Sequence, residues 1–103
     1  MTASSRDVEL GCLECMDCFF AVHGDVALQE RALKAMRFLT VSDKVLAGKP
    51  AGWAAGIIYA LANRDRQACG VPGLLNSELE VFFGVSMTTI RKRAAIVVLL
   101  LDL

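Results

Sequence analysis

The fourteen residues from Pro50 to Asn63, PAGWAAGIIYALAN, carry no charge, and coiled into a helix they leave no polar face. Pro50 sits where a first-turn proline belongs, because its fixed φ suits a helix start and its missing N–H would be unpaired there anyway. Trp53, Ala54, Ala55, Ile57, Ile58, Tyr59, Leu61 and Ala62 then cover the whole circumference. A helix facing solvent keeps one polar side, so this one is expected to be the buried centre of the fold. It is too short to cross a bilayer, which needs ~20 apolar residues, and the other long uncharged run, Gln67 to Ser77, is shorter still. The rest of the chain must therefore supply a shell. With 103 residues, 55% of them hydrophobic, there is material for one core and no second one, and disorder is excluded for most of the length.

The shell reads as four further helices. After residues 1–5, expected to be disordered, a helix over about Arg6 to Val22 sets Val8, Cys12, Cys15, Phe19 and Val22 on one face. Gly24 ends it, and Asp25 caps a second helix whose stripe is Val26, Leu28, Ala32, Ala35, Met36 and Leu39, beside exposed Gln29, Glu30, Lys34 and Arg37. Thr40 to Gly48 read as a loop, and so do Arg64 to Leu75, punctuated by Cys69, Gly70, Pro72 and Gly73. A short fourth helix begins at Asn76 or Ser77, with Ser77 and Glu80 at capping-box spacing and Leu79, Phe82 and Phe83 inward, and closes at Gly84. Ser86 caps a fifth that runs to Leu101. No segment alternates with period two and no repeat occurs. The expectation is a single all-α domain over 1–103, a five-helix bundle with Trp53, Ile57, Ile58 and Leu61 at its centre.

Short helix, glycine turn and longer capped helix, ELEVFFGVSMTTIRKRAA, is the arrangement of a helix-turn-helix. With Val85, Ile90, Ala94 and Val97 toward the core, Met87, Thr88, Arg91 and Lys92 come near the outward side. Short polar side chains and a guanidinium at a helix N-terminus suit a reader of the DNA major groove. Lys49 and Arg64, with Lys44, Arg66 and Arg93, are the candidates for phosphate. Eleven Lys and Arg balance eleven Asp and Glu, so duplex DNA would have to be held by a local patch. The charges are segregated. Residues 1–30 set Arg6 against six carboxylates, whereas residues 31–66 set seven basic residues against Asp43 and Asp65. That pattern fits either mutual neutralisation inside the fold or a basic face for a partner.

The stretch GKPAGWAAGIIYALA followed, after a loop, by NSELEVFFGVSMTTIRKRA resembles the second half of a cyclin-type repeat of transcription factor IIB. It is similar still more closely to a group of short bacterial domains of unassigned function that carry W-A-x-G-I-x-Y-A and then F-G-V-S-x-x-T-I. The first resemblance covers about residues 48–95 and the second 12–103. Both imply a cyclin-like bundle of five helices around a buried third helix, with a C-terminal helix-turn-helix. In the factor IIB family a residue before the T-I-R triplet and the Arg within it reach promoter DNA, positions that fall on Thr88 and Arg91. Thr88 stands where that family has valine. The family's second repeat, zinc ribbon and polymerase contacts have no counterpart here, so the resemblance does not extend to general transcription initiation.

Cys12, Cys15, Cys18 and His23 have the spacing C-x2-C-x2-C-x4-H. On an intact helix Cys12 and Cys18 are separated by a rise of about 9 Å, too far for one zinc. Two of the cysteines, with Cys69 or His23, could still share a metal. The favoured reading is that they pack as small hydrophobes, without metal or disulfide, and no cofactor is expected. His23 reads as a helix-end cap, and no third group completes a Cys–His catalytic pair, so no enzyme is expected. Trp53 and Tyr59 read as core anchors. The start, MTASSRDVEL, lacks a secretory signal, which points to a cytoplasmic chain outside the membrane. The tail AAIVVLLLDL has more apolar residues than one helix face can bury, Val97, Val98, Leu99, Leu100, Leu101 and Leu103 among them. It raises a competing reading, a protein-interaction domain that forms a homo-oligomer through its C-terminal helix without binding nucleic acid.

Overall fold

A computed structural model describes the backbone of residues 5–41, 49–66, 71 and 74–101, and the side chains of 8–39, 49–63, 71 and 74–101. Five α-helices follow in order: α1 Ser5–Val22, α2 Val26–Val41, α3 Pro50–Arg66, α4 Asn76–Phe83 and α5 Met87–Leu101. No strand occurs among the described residues. The all-α five-helix bundle is therefore as expected, with some boundaries moved. Ser5 already belongs to α1, α2 includes Thr40 and Val41, and α3 continues through Arg64, Asp65 and Arg66 before the punctuated segment begins. Residues 1–4, 42–48, 67–70, 72–73 and 102–103 lie outside the described residues, and with them Lys44, Cys69 and Leu103.

α3 touches each of the other four helices and packs most extensively on α5. Trp53, Ile57, Ile58 and Leu61 are at most 4% exposed, which is the central position their all-round apolar helix requires. Full burial of an aliphatic side chain of this size stabilises by about 1.5–3 kcal/mol. The contact with α5 is a backbone approach. A Cβ built on Gly56 would lie 2.6 Å from the Cβ of Arg93 and 3.1 Å from the amide nitrogen of Ala94. One turn earlier, Gly52 faces the Thr89 methyl at 3.6 Å. The contacts advance together along both helices, so α3 and α5 run in the same sense.

α1 and α2 close the other side. Asp25 caps α2 as expected, its Oδ1 accepting the Leu28 N–H at 3.1 Å. On α1 the buried residues are Val8, Cys12, Met16, Phe19 and Phe20, Cys15 is half-buried, and Val22 is exposed. A 4-3-4-3 spacing has period 3.5 and drifts about 20° per heptad on a straight helix. The expected stripe therefore rotates away from the core, Met16 and Phe20 take its place, and Val22 emerges on the solvent side. Val26 is exposed too, because it lies two residues before Leu28 and so on nearly the opposite face of α2. Phe19 ties α1 to α4, its ring centroid 5.5 Å from that of Phe82 and 5.5 Å from that of Phe83, a spacing at which aromatic pairs are favourable.

Candidate nucleic-acid interface

The corner between α4 and α5 is built from one glycine and two acceptors. Gly84 has φ 67° and ψ 30°, a left-handed conformation that stops α4, and its N–H donates to the Glu80 carbonyl at 2.8 Å. Ser86 caps α5 as expected: its Oγ accepts the Thr89 N–H at 3.3 Å, and its carbonyl accepts the Ile90 N–H at 3.0 Å. The expected Ser77–Glu80 capping box is replaced. The chain enters α4 from extended Leu75, so the third helical residue is Glu78, whose Oε1 accepts the Leu75 N–H at 3.0 Å. Glu80, freed from that role, reaches across the turn, and its Oε2 accepts the Met87 N–H at 2.6 Å. A carboxylate at a helix N-terminus is favoured by the helix dipole, and this one fixes the start of α5 to the middle of α4.

Along α5 the buried side chains are Met87, Ile90, Ala94 and Val97. Met87 was expected near the outward side; it is 8% exposed and belongs to the core. At 100° per residue Met87 stands beside Ile90, Ala94 and Val97 rather than beside Lys92, so it faces the core and not a groove. Thr88, Arg91 and Lys92 are exposed and share an arc of about 100°, with Lys92 opposite the buried stripe and Arg91 at its edge, about 40° from Met87. Lys49 is exposed just before α3, and Gly52, one turn on, packs against Thr89, so Lys49 is brought to the same end of the bundle as the start of α5. Arg93 is not one of the free cations: its guanidinium carbon lies 4.6 Å from the centre of the Trp53 ring, over its face. The side chains of Arg64 and Arg66 lie outside the described residues. No protein-family model, curated protein or solved structure matches the chain.

Two other surfaces adjoin this one. Tyr59, Ala60 and Asn63 of α3 and Arg91, Ala94, Ala95 and Val98 of α5 line an open, mostly apolar groove of about 440 Å³. Val98, at the groove, is exposed, and so are Ile96 and Leu99 near it on α5, Leu99 to 79%. Leu100 and Leu101 are half-buried.

The cysteines divide by depth. Cys12 is fully buried, and its thiol donates to the Pro50 carbonyl at 3.2 Å. Burial, reinforced by the neighbouring Cys15, pushes the Cys12 thiol up to about 12. Burial also raises Cys15, with Cys18 as the next cause. Cys18 is exposed. No group of three His, Cys, Asp or Glu among the described residues is arranged to hold a metal ion. His23 follows the last residue of α1, its N–H donating to the Phe19 carbonyl at 2.8 Å and its ring 5.0 Å from that of Phe19. No described helix is long and apolar enough to cross a membrane. Sequence reasoning missed the Arg93–Trp53 pair and the role of Glu80. The Gly52–Gly56 spacing on α3 was the available signal for the first, because close-packed glycines bring the α5 side chains over Trp53.

Proposed function

We propose that the chain is a non-enzymatic, cytoplasmic DNA-binding module in which α4 and α5 act as a helix-turn-helix of a cyclin-like domain. The observation that carries this reading is the exposed triad Thr88, Arg91 and Lys92 on the first turns of a helix whose N-terminus is locked by Ser86 and Glu80. Locking matters because base readout needs side chains held in register with the groove. Arg91 offers the bidentate donor pair that matches guanine, Thr88 offers a methyl for thymine, and Lys92 and Lys49 offer charge to phosphate. The resemblance of S-M-T-T-I-R to the promoter-reading segment of factor IIB supports the same assignment for Thr88 and Arg91.

The test is an anisotropy titration with a duplex selected from a random pool. Arg91→Ala is expected to weaken the selected site by about 1–3 kcal/mol and to relax preference at one base pair. Lys49→Ala is expected to weaken all duplexes alike. Equal loss from both variants on every duplex would leave Arg91 as a phosphate contact only, and no affinity at low salt would remove the reading.

A second reading rests on a separate observation, the exposure of Leu99 beside Ile96 and Val98. On that reading the C-terminal half of α5 joins two copies of the chain, and Leu99→Glu removes that one contact, lowering the mass in sedimentation relative to the unsubstituted chain at the same concentration.

A further inference from the structure

Four of the exposed large apolar residues line two adjoining concavities or are chain neighbours of residues that do. Val22 ends α1, Val26 begins α2, Leu75 precedes α4, and Val81 lies on α4 with 83% of its surface exposed. The two concavities measure about 390 and 270 Å³ and share His23 and Leu74. Phe82 and Val81 wall the first and Phe19, Leu28 and Val71 the second. The charged side chains that line them are acidic, Glu78 in the first and Asp25 in the second, with no Lys or Arg among the described lining residues. Each carboxylate uses one oxygen on a helix-cap bond, so both are held in place at the rim.

The complement of such a trough is an exposed apolar side chain flanked by cations, and α2 carries one. Phe38 is 55% exposed, with exposed Lys34 one turn before it and exposed Arg37 beside it. Asp25, at the trough, and Phe38 are thirteen residues apart, which along a helix is a rise of about 20 Å. Knob and trough therefore sit toward opposite ends of the same helix, out of each other's reach within one chain.

We infer that the trough around His23 binds the Phe38–Lys34 face of a second copy of this chain, head to tail. Phe38 fills the apolar floor between Phe82 and Leu74 while Lys34 meets Glu78 or Asp25. The two surfaces differ, so the contact is heterologous and extends by repetition instead of closing on a two-fold axis. It uses no residue of the Thr88–Arg91–Lys92 face and is separate from pairing through Leu99.

Sedimentation velocity on the full chain carrying Leu99→Glu tests this with the α5 surface disabled. The weight-average mass is expected to climb past that of a dimer as concentration rises, and Val81→Arg or Phe38→Asp in that background each to return it to the monomer. Both substitutions are at exposed positions, and circular dichroism checks that helicity is kept. Mixing these two variants is decisive, because one retains an intact knob and the other an intact trough: the mixture is expected to form a dimer and nothing larger. On dilution of the unsubstituted chain the Val81 methyl resonances are expected to shift, a readout independent of the variants. A Leu99→Glu chain that stays monomeric at its highest concentration, or a mixture that sediments as its separate parts, overturns the inference.

Discussion

Gly56 and Arg93 stand so close that a Cβ on the glycine would lie 2.6 Å from the arginine Cβ. Neither atom is the free end of a flexible side chain, so α3 and α5 would have to separate. Gly56→Ala is expected to destabilise the fold by about 1–3 kcal/mol, which in a domain of this size lowers Tm by about 4–8 °C per kcal/mol. Gly52→Ala, whose nearest neighbour would be at an ordinary 3.6 Å, is the control and is expected to be tolerated. Separating the helices also removes Arg93 from the face of Trp53, so the Gly56 variant should show altered tryptophan fluorescence while still folded.

Met87 donates its N–H to the Glu80 carboxylate at 2.6 Å. Glu80→Ala leaves that donor without its charged partner and is expected to cost about 1.5–3 kcal/mol, whereas Glu80→Gln keeps an acceptor and should recover part of the loss. Chemical denaturation of the three proteins measures it. Ser86→Ala at the same helix start is expected to cost about 0.5–2 kcal/mol.

The buried Cys12 thiol gives the fold an alkaline limit. Its folded value is raised to about 12 from 9.0, so between those values the unfolded chain loses a proton that the folded chain keeps. Stability is therefore fully present below pH 9 and falls as pH rises toward 12, with a slope of up to about 1.4 kcal/mol per pH unit from this group. Denaturation midpoints across that range are expected to fall less steeply in Cys12→Ala than in the parent. Alkylation at neutral pH is expected to mark exposed Cys18 first and to spare Cys12 until the chain unfolds.

What the residues announced in advance, and what they hid, follows from how local each cause is. The burial of Trp53, Ile57, Ile58 and Leu61 was legible because a helix without a polar face has only one place to go. Asp25, Gly84 and Ser86 were legible because a cap or a left-handed turn is decided within three or four residues. Val22 and Val26 were misread as buried because an apolar residue at a helix end is placed by the neighbours the helix happens to meet there. Met87 followed the same logic in reverse, turned inward by the exact rotation of α5 that Ser86 and Glu80 set. Glu80 has a capping-box partner at the right spacing in Ser77, yet the helix begins at Asn76, so the glutamate bond falls two residues earlier, from Glu78 to the Leu75 N–H. The Arg93–Trp53 contact joins residues forty positions apart and depends on a helix crossing, which no local pattern encodes.

The central claim is that the exposed first turns of α5 hold duplex DNA. The measurement that tests it most directly is the salt dependence of binding to a mixed-sequence duplex, by fluorescence anisotropy, for the full chain and for Lys92→Ala. Each phosphate neutralised contributes about −0.9 to the slope of log K against log salt. The full chain is expected to bind at low salt with a slope of a few such units, and Lys92→Ala to bind more weakly with its slope reduced by about one. No duplex affinity at low salt, or an affinity whose slope is the same without Lys92, would contradict the claim and leave α5 as a surface for protein.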